Sequence, residues 1–525
     1  MEIAIQSWPF QSIIGATEFV KRNVKTTAKI TLRMISRKSV ATTILTSWLC
    51  ASVTLSADKP ELTRLFPPGG QIGTTVDVEA VGKFPSWPVQ SWSDTASIEL
   101  LCLKDSGKLQ AKIAANATPG LHWLRLYHEN GATASRPFLV GQFPERSEVE
   151  PNDQPMEANK IETLPQTIQG ILNKRADVDL YSVSLTAGQS LSATIDSAKW
   201  LQSPADVNLQ ILDTKGFVLA ENLDHVGLDP YLEFHPQRDG NYIVRVFGFP
   251  ATPDSTVAFS GGSDWNYRLR LDSKPCPFGS AQDFAFQSKM ESVSIEALPG
   301  KHLTSQTPLM LKPPTTFGGT IAEPKQSNFF RFPGRATAFY RIQVFAREFG
   351  SALDPTVAIL DSQGKQLVQQ DDDSKDRDPM LNWKAPADGE YLIEINDFHR
   401  SGGADFRFVA TIEERPPNYS LSIANDLIST DVGKETELVV NVDRENGFKG
   451  TINVSIEGPS SIDCPVAESK EGSDTSKKVT LKLKPNAAFQ GPIKIVAQFG
   501  ESQDFVRYAT VPNGKAIWLS AVKDD

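Results

Sequence analysis

Eleven residues, Asp206-Val-Asn-Leu-Gln-Ile-Leu-Asp-Thr-Lys-Gly216, return as Asp354-Pro-Thr-Val-Ala-Ile-Leu-Asp-Ser-Gln-Gly364, and this repeat constrains the fold of the 525-residue chain more than any other feature. Each copy reads as a strand of apolar and β-branched residues running into an Asp-x-x-Gly turn. The register persists downstream. Asp229-Pro-Tyr-Leu-Glu-Phe234 returns as Asp378-Pro-Met-Leu-Asn-Trp383, Asp239-Gly-Asn-Tyr242 as Asp388-Gly-Glu-Tyr391, and Gly261-Gly-Ser-Asp-Trp265 as Gly402-Gly-Ala-Asp-Phe406. Repetition over this length means two modules of one fold, each closing its own core.

Around the repeats, alternating apolar and polar stretches are punctuated by Gly, Pro, Asn and Asp, and no long segment has a 3.6-residue period. Thr74–Val81, His122–Tyr127, Leu191–Ile195, Tyr242–Phe247, Tyr391–Ile395, Glu437–Val442 and Thr451–Ile456 are strand candidates. The expectation is an all-β chain of tandem β-sandwich domains with little helix. Its length exceeds what one hydrophobic core serves and predicts several domains.

The first 57 residues differ in kind. Lys21, Arg22, Lys25, Lys29, Arg33, Arg37 and Lys38 precede an apolar stretch from Val40 to Leu55 that ends in Ser56-Ala57, the pattern of an export signal cleaved after Ala57. Met34 heads a compact version of that signal and is an alternative start. Cys50 follows Leu49 rather than a small residue, which argues against a lipid anchor. Residues 58–525 carry 46 basic and 61 acidic side chains, a net charge of −15. Such a surface repels phosphates and anionic lipids, so nucleic acid and membrane surfaces are poor partners, and no stable membrane insertion is expected after signal cleavage. Cys102, Cys276 and Cys464 lie too far apart for a short disulfide framework or a Cys-x-x-Cys metal site.

The opening of the first copy runs Glu148-Val-Glu-Pro-Asn-Asp153, then Gly170-Ile171, then Asp177-Val-Asp-Leu-Tyr181, and the module closes on the Asp-Gly-x-Tyr strand. These residues resemble the bacterial pre-peptidase C-terminal (PPC) domain, a small β-sandwich appended to many secreted peptidases and other exported proteins. The resemblance covers about residues 146–272 and, in a diverged form, 318–423. Pro67-Pro-Gly-Gly-Gln71 with Gly73-Thr-Thr-Val76, and Thr118-Pro-Gly-Leu-His122, resemble an immunoglobulin-like fold of the IPT/TIG type over 58–145. Residues 424–525, with Asn446-Gly-Phe-Lys-Gly450 between alternating strands, are similar to a terminal immunoglobulin-like sandwich. Residues 273–317 read as a Pro-rich linker or reduced β-element.

In the related collagen-binding module of clostridial collagenases, the corresponding Glu-x-Glu-x-Asn-Asp segment and a following Asp pair bind calcium. The resemblance therefore implies a Ca²⁺ site at Glu148, Glu150, Asn152, Asp153, Asp177 and Asp179. Alternation along an extended strand puts Glu148, Glu150 and Asn152 on one face about 6.6 Å apart, and Ca²⁺ takes six to eight oxygen ligands. A solvated acidic linker with an ordinary Asn-Asp turn is the competing reading of the same residues. The second copy lacks the acidic opening and places Gln326 and Asn328 where the Asp pair stood, so calcium is expected in the first copy only. Asp371, Asp372, Asp373, Asp376 and Asp378 lack the spacing of a calcium loop and read as a solvated hairpin. The recurring Asp229-Pro230 and Asp378-Pro379 read as structural turns.

No nucleophile elbow, zinc-protease helix or triad stands in the sequence; His128-Glu129 lacks the second histidine of His-Glu-x-x-His. Of the tryptophans, Trp265 and Trp383 fill repeat positions taken by Phe406 and Phe234 and read as core, whereas Trp87 is the candidate for an exposed contact. The resulting expectation is a non-enzymatic protein of the periplasm, cell surface or extracellular space, acting in binding, adhesion or scaffolding on a protein or polysaccharide partner. An accessory subunit of a separate secreted peptidase is the alternative, and an uncharacterised hydrolase the third.

Overall fold

The computed structural model describes residues 59–225, 227–249, 259–273, 303–347, 351–372, 378–514 and 516–523. The expected export signal with Met34, Cys50 and Ala57, most of the expected linker with Cys276, and Asp373 and Asp376 lie outside the described residues. The described residues are 54% strand and 2% helix, as alternation without helical periodicity predicts. Among the described residues no helix is long and apolar enough to cross a membrane.

Among the described residues eight sheets stack in pairs as four sandwiches. In the second, one sheet has the strand order Asn159–Ile161, Val178–Leu185, Gly240–Gly248, Val207–Leu212, Val218–Asn222, and the other has Glu145–Ser147, Gln166–Ile171, Asn266–Asp272, Leu191–Asp196, Tyr231–Phe234. The third repeats this arrangement. Leu309–Met310, Ser327–Gly334, Gly389–Asp397, Pro355–Leu360 and Gln366–Gln370 form one sheet, and Thr315–Thr320, Arg407–Glu414, Phe339–Phe345 and Met380–Lys384 the other. Inward-facing residues of each pair close separate cores, around Ile168, Tyr181, Leu209 and Tyr267 in one and Phe317, Phe330, Val357 and Phe408 in the other.

The residues shared by the two copies do the same work in both. Asp213 Oδ1 accepts from Lys215 N and Phe217 N, and Asp361 Oδ1 from Gln363 N and Lys365 N, closing the turns that Gly216 and Gly364 complete at φ 89° and 84°. Asp229 accepts from Ser197 N and Lys199 N; Asp378 accepts from Ala346 N and Arg347 N. Asp239 and Asp388 each hold one backbone N–H, of Ala187 and Ala336, at 2.7 Å. Asp378 is therefore a buried cap rather than part of a solvated run, while Asp371 and Asp372 are exposed.

Two boundaries differ from expectation. The third sandwich begins before residue 318, because Leu309–Met310 and Thr315–Thr320 are strands of its sheets and Leu303 lies in its core. Both strands are at sheet edges, where the prolines around them cost no ladder bond. Asn418–Ser422 already pairs within the last sandwich, so that junction precedes 424. Trp87 also differs. It is half-buried on the first core, edge-on to Phe84 at 5.2 Å, with Nε1 donating to Leu103 O at 2.7 Å. Trp265 and Trp383 pack on their cores as expected.

The first and last sandwiches meet. Arg125, 1% exposed, donates to Asp426 Oδ2 at 2.7 Å across 301 residues of sequence and lies 5.7 Å from the Trp518 ring centre. Trp92 and Tyr127 pack on Trp518 at 5.8 and 4.7 Å.

Candidate metal centre

The segment entering the second sandwich is held extended by Asn159, whose Nδ2 donates to Val149 O and whose Oδ1 accepts from Val149 N, both at 2.7 Å. Asn152 O accepts from Leu180 N at 3.1 Å, which docks the segment on the strand carrying Asp179 and Tyr181. Alternation then turns the Glu148 and Glu150 side chains the same way. One carboxylate oxygen from each of Glu148, Glu150 and Asp179 lies within 4.8 Å of the others.

Asn152 is fully buried, with its amide oxygen toward carboxylate oxygens of Asp179 and Glu150. Turned over, the amide would donate to Asp179 Oδ1 at 3.1 Å and to Glu150 Oε2 at 3.2 Å. The second orientation satisfies the amide and both carboxylates, whereas the first sets oxygen against oxygen.

Two buried tyrosines floor the cluster. Tyr267 OH donates to Asp179 Oδ2 at 2.5 Å, Tyr181 OH to Glu148 Oε2 at 3.1 Å, and the hydroxyls are 2.6 Å apart. Glu148 Oε1 accepts from Ile171 N at 2.7 Å and Glu150 Oε1 from Asn173 Nδ2 at 2.7 Å. Gly170 makes the close approach possible, since a Cβ there would stand 2.4 Å from Tyr267 Oη and 2.7 Å from Glu148 Oε2. Burial pushes the Glu148 carboxyl up to about 7 and raises Asp179 well above the usual carboxylate range, where the charge of Glu148 adds to the effect. Burial raises Glu150 too, with Asp177 contributing.

Four of the six expected ligands thus converge: Glu148, Glu150, Asn152 and Asp179. Asp153 and Asp177 are committed elsewhere. Asp153 Oδ1 accepts from Val178 N at 3.1 Å, Asp177 accepts from Asn173 N, and Lys174 Nζ lies 3.7 Å from both carboxylates. Tyr181 was within reach of sequence reasoning, two residues beyond Asp179 on the same strand face. Tyr267 was not, because only the pairing of its strand places it opposite Gly170 of the module's opening.

The third sandwich serves as an internal comparison. Leu303 O accepts from Phe329 N at 3.0 Å just as Asn152 O does from Leu180 N, so Leu303 takes the place of Asn152. Asn328, Phe330 and Phe408 stand where Asp179, Tyr181 and Tyr267 do, and Gly319 faces Phe408 as Gly170 faces Tyr267. Carboxylate and hydroxyls are replaced there by an amide and rings, and Asn328 Nδ2 donates to Thr320 O at 3.1 Å.

Residues 177–248 match the family model of the bacterial pre-peptidase C-terminal domain. That span takes in Asp177 and Asp179 and the strands that seat them. A probable subtilase-type serine protease of Deinococcus radiodurans is 26% identical over 213 residues, 38% of this chain and 28% of the relative, so the match spans just over a quarter of that protein's length. Among solved structures, the pre-peptidase C-terminal domain of a Bacillus anthracis collagenase aligns over 24% of this chain and 100% of its own, at 16% identity and a TM-score of 0.17. The ectodomain of a teleost fish polymeric immunoglobulin receptor aligns over 42% of this chain and 97% of its own, at 12% identity and a TM-score of 0.17.

Proposed function

We propose that this chain is an exported, non-catalytic protein that binds a protein or polysaccharide partner outside the cytoplasm and carries one Ca²⁺ in its second sandwich. Glu148, Glu150, Asn152 and Asp179 would hold the ion. The carrying observation is the convergence of Glu148, Glu150 and Asp179, one oxygen of each within 4.8 Å of the others, beside the buried amide of Asn152. All donors are hard oxygens, with no histidine or thiol among them, which suits Ca²⁺ rather than zinc or copper. Raised carboxyl pKa values fit a site whose negative charge awaits a counter-ion. The third sandwich is a second, metal-free copy of the module, and the first and last are immunoglobulin-like. Calcium titration by calorimetry, beside a Glu148→Ala/Glu150→Ala variant, tests the site. Saturable binding lost in the variant is expected; no heat in the parent protein would return the segment to a plain acidic linker.

The likeness to a subtilase-type protease favours a second reading, an accessory role beside a separate secreted peptidase. Affinity capture from the native exported proteins distinguishes the two. A stoichiometric peptidase supports the accessory role, and retention on polysaccharide without one supports adhesion.

A further inference from the structure

We infer that the cleft between the first and second sandwiches binds an extended peptide by its main chain. This names the partner class of the binding role proposed above and rests on that role, but uses none of the groups proposed to ligate calcium. The cleft measures about 330 Å³ and lies between two short edge strands, Gly69–Gln71 of the first sandwich and Glu145–Ser147 of the second.

Both strands pair in parallel on one side only. In a parallel ladder alternate residues direct both N–H and C=O toward the partner strand, and the residues between direct theirs away. Thr167 N donates to Pro144 O and Glu148 N to Gln169 O, so Arg146 makes the central rungs while Glu145 and Ser147 face outward. By the same register Gly70 is bonded to its neighbour strand and Gly69 faces outward, since Leu139 N donates to Pro68 O and Ile72 N to Gly141 O. The edge at 145–147 therefore offers two outward donor–acceptor pairs about 6.6 Å apart, the repeat of an extended chain.

Two residues bordering this cleft, Gln169 and Arg146, each carry a buried side-chain atom without a hydrogen-bond partner. Gln169 is 2% exposed; its Nε2 is committed to Glu145, and its Oε1 is buried with no hydrogen-bond partner. Arg146 donates through Nη2 to Lys160 O at 2.6 Å, and its Nε is buried without an acceptor. Arg146 pairs with Ile168 and Ser147 with Gln169, so the two side chains leave the sheet on opposite faces; an unmet buried polar atom is costly unless something fills its role, and a peptide N–H is the complement of the Gln169 oxygen.

The opposite wall includes Gly69, Gly70 and Thr75; a Cβ at Gly69 would meet Leu139 O and one at Gly70 the Val76 and Ile113 side chains, so both glycines serve close packing within the protein. No aromatic ring lines the cleft, which is unlike the largely apolar and aromatic walls of small-molecule pockets. Strand addition takes its affinity from main-chain bonds, and these are the groups on offer.

The test is fluorescence polarisation with a labelled, N-acetylated heptapeptide library of alternating valine, alanine, serine and threonine, against the intact protein. Members are expected to bind, and N-methylation of alternate amides in the best of them to weaken binding at least tenfold. Ser147→Pro, which removes an outward N–H and no ladder rung, should do the same, as should Gln169→Leu, with the melting temperature unchanged in one of the two. Failure of every member to bind, or binding indifferent to N-methylation, overturns the assignment. Polysaccharide binding without peptide binding would overturn it while leaving the broader binding role standing; binding of neither would remove both.

Discussion

At Asn152 a buried amide meets two carboxylates of the candidate site, donating to Asp179 Oδ1 at 3.1 Å and to Glu150 Oε2 at 3.2 Å when its nitrogen faces them. The charge state of its neighbours follows from burial. Glu148 is held up to about 7 against an ordinary 4.5. A carboxyl raised in the folded state contributes stability that is whole below the unfolded value and lost as pH rises through the folded one. In a chelator the protein is therefore expected to melt several degrees lower near pH 8 than near pH 5. Calcium should restore the loss near pH 8 and do little near pH 5, where protonated carboxyls ligate poorly. A chelated protein with a flat or rising profile would contradict this. Tyr267→Phe removes the hydroxyl that orients Asp179 and is expected to weaken calcium binding about 10–100-fold by calorimetry, while Tyr391→Phe, in the third sandwich, leaves it unchanged. The acidic residues of the candidate site were legible in the sequence because they share one short segment and one strand. Their tyrosine floor depends on a strand 86 residues further on.

At the level of elements, the residues the two sandwiches share are those that shape turns and cap backbone. Asp229 and Asp378 are 3% and 9% exposed, and each accepts from backbone N–H groups of the loop that follows a core strand. Asp229→Ala and Asp378→Ala are each expected to cost about 1–3 kcal/mol in urea unfolding, the price of orphaned buried donors. A loss below about 0.5 kcal/mol in either would show that water replaces the cap. These turns were readable because Asp-x-x-Gly and Asp-Gly encode local geometry. The start of the third sandwich was not, because its first strands are short, Pro-flanked and on edges, and edge strands are specified by what they pair with.

Across the whole molecule, Arg125 ties the first sandwich to the last. Its guanidinium also donates to Thr133 O at 2.5 Å and Ser135 Oγ at 2.6 Å, so one side chain spans a strand end and a partner domain. Removing one member of a buried pair costs about 3–5 kcal/mol because the other is left uncompensated. Asp426→Ala leaves Arg125 in that state. Small-angle scattering is expected to show a larger maximum dimension for Asp426→Ala than for the parent protein, with a lowered melting temperature. An unchanged scattering curve would mean that the packing of Trp92 and Tyr127 on Trp518 holds the contact alone. Nothing local announces Arg125, which in sequence is one basic residue in an amphipathic strand.

The sequence by itself determined the all-β class, the duplicated sandwich and the acidic segment, since alternation, turn chemistry and repetition are properties of neighbouring residues. The tertiary structure decided which carboxylates converge, that Asp153 and Asp177 turn instead to Val178, Asn173 and Lys174, and that the two ends of the domain series touch. Those outcomes depend on strand register and on buried pairs hundreds of residues apart, where a one-residue shift moves every side chain to the other face.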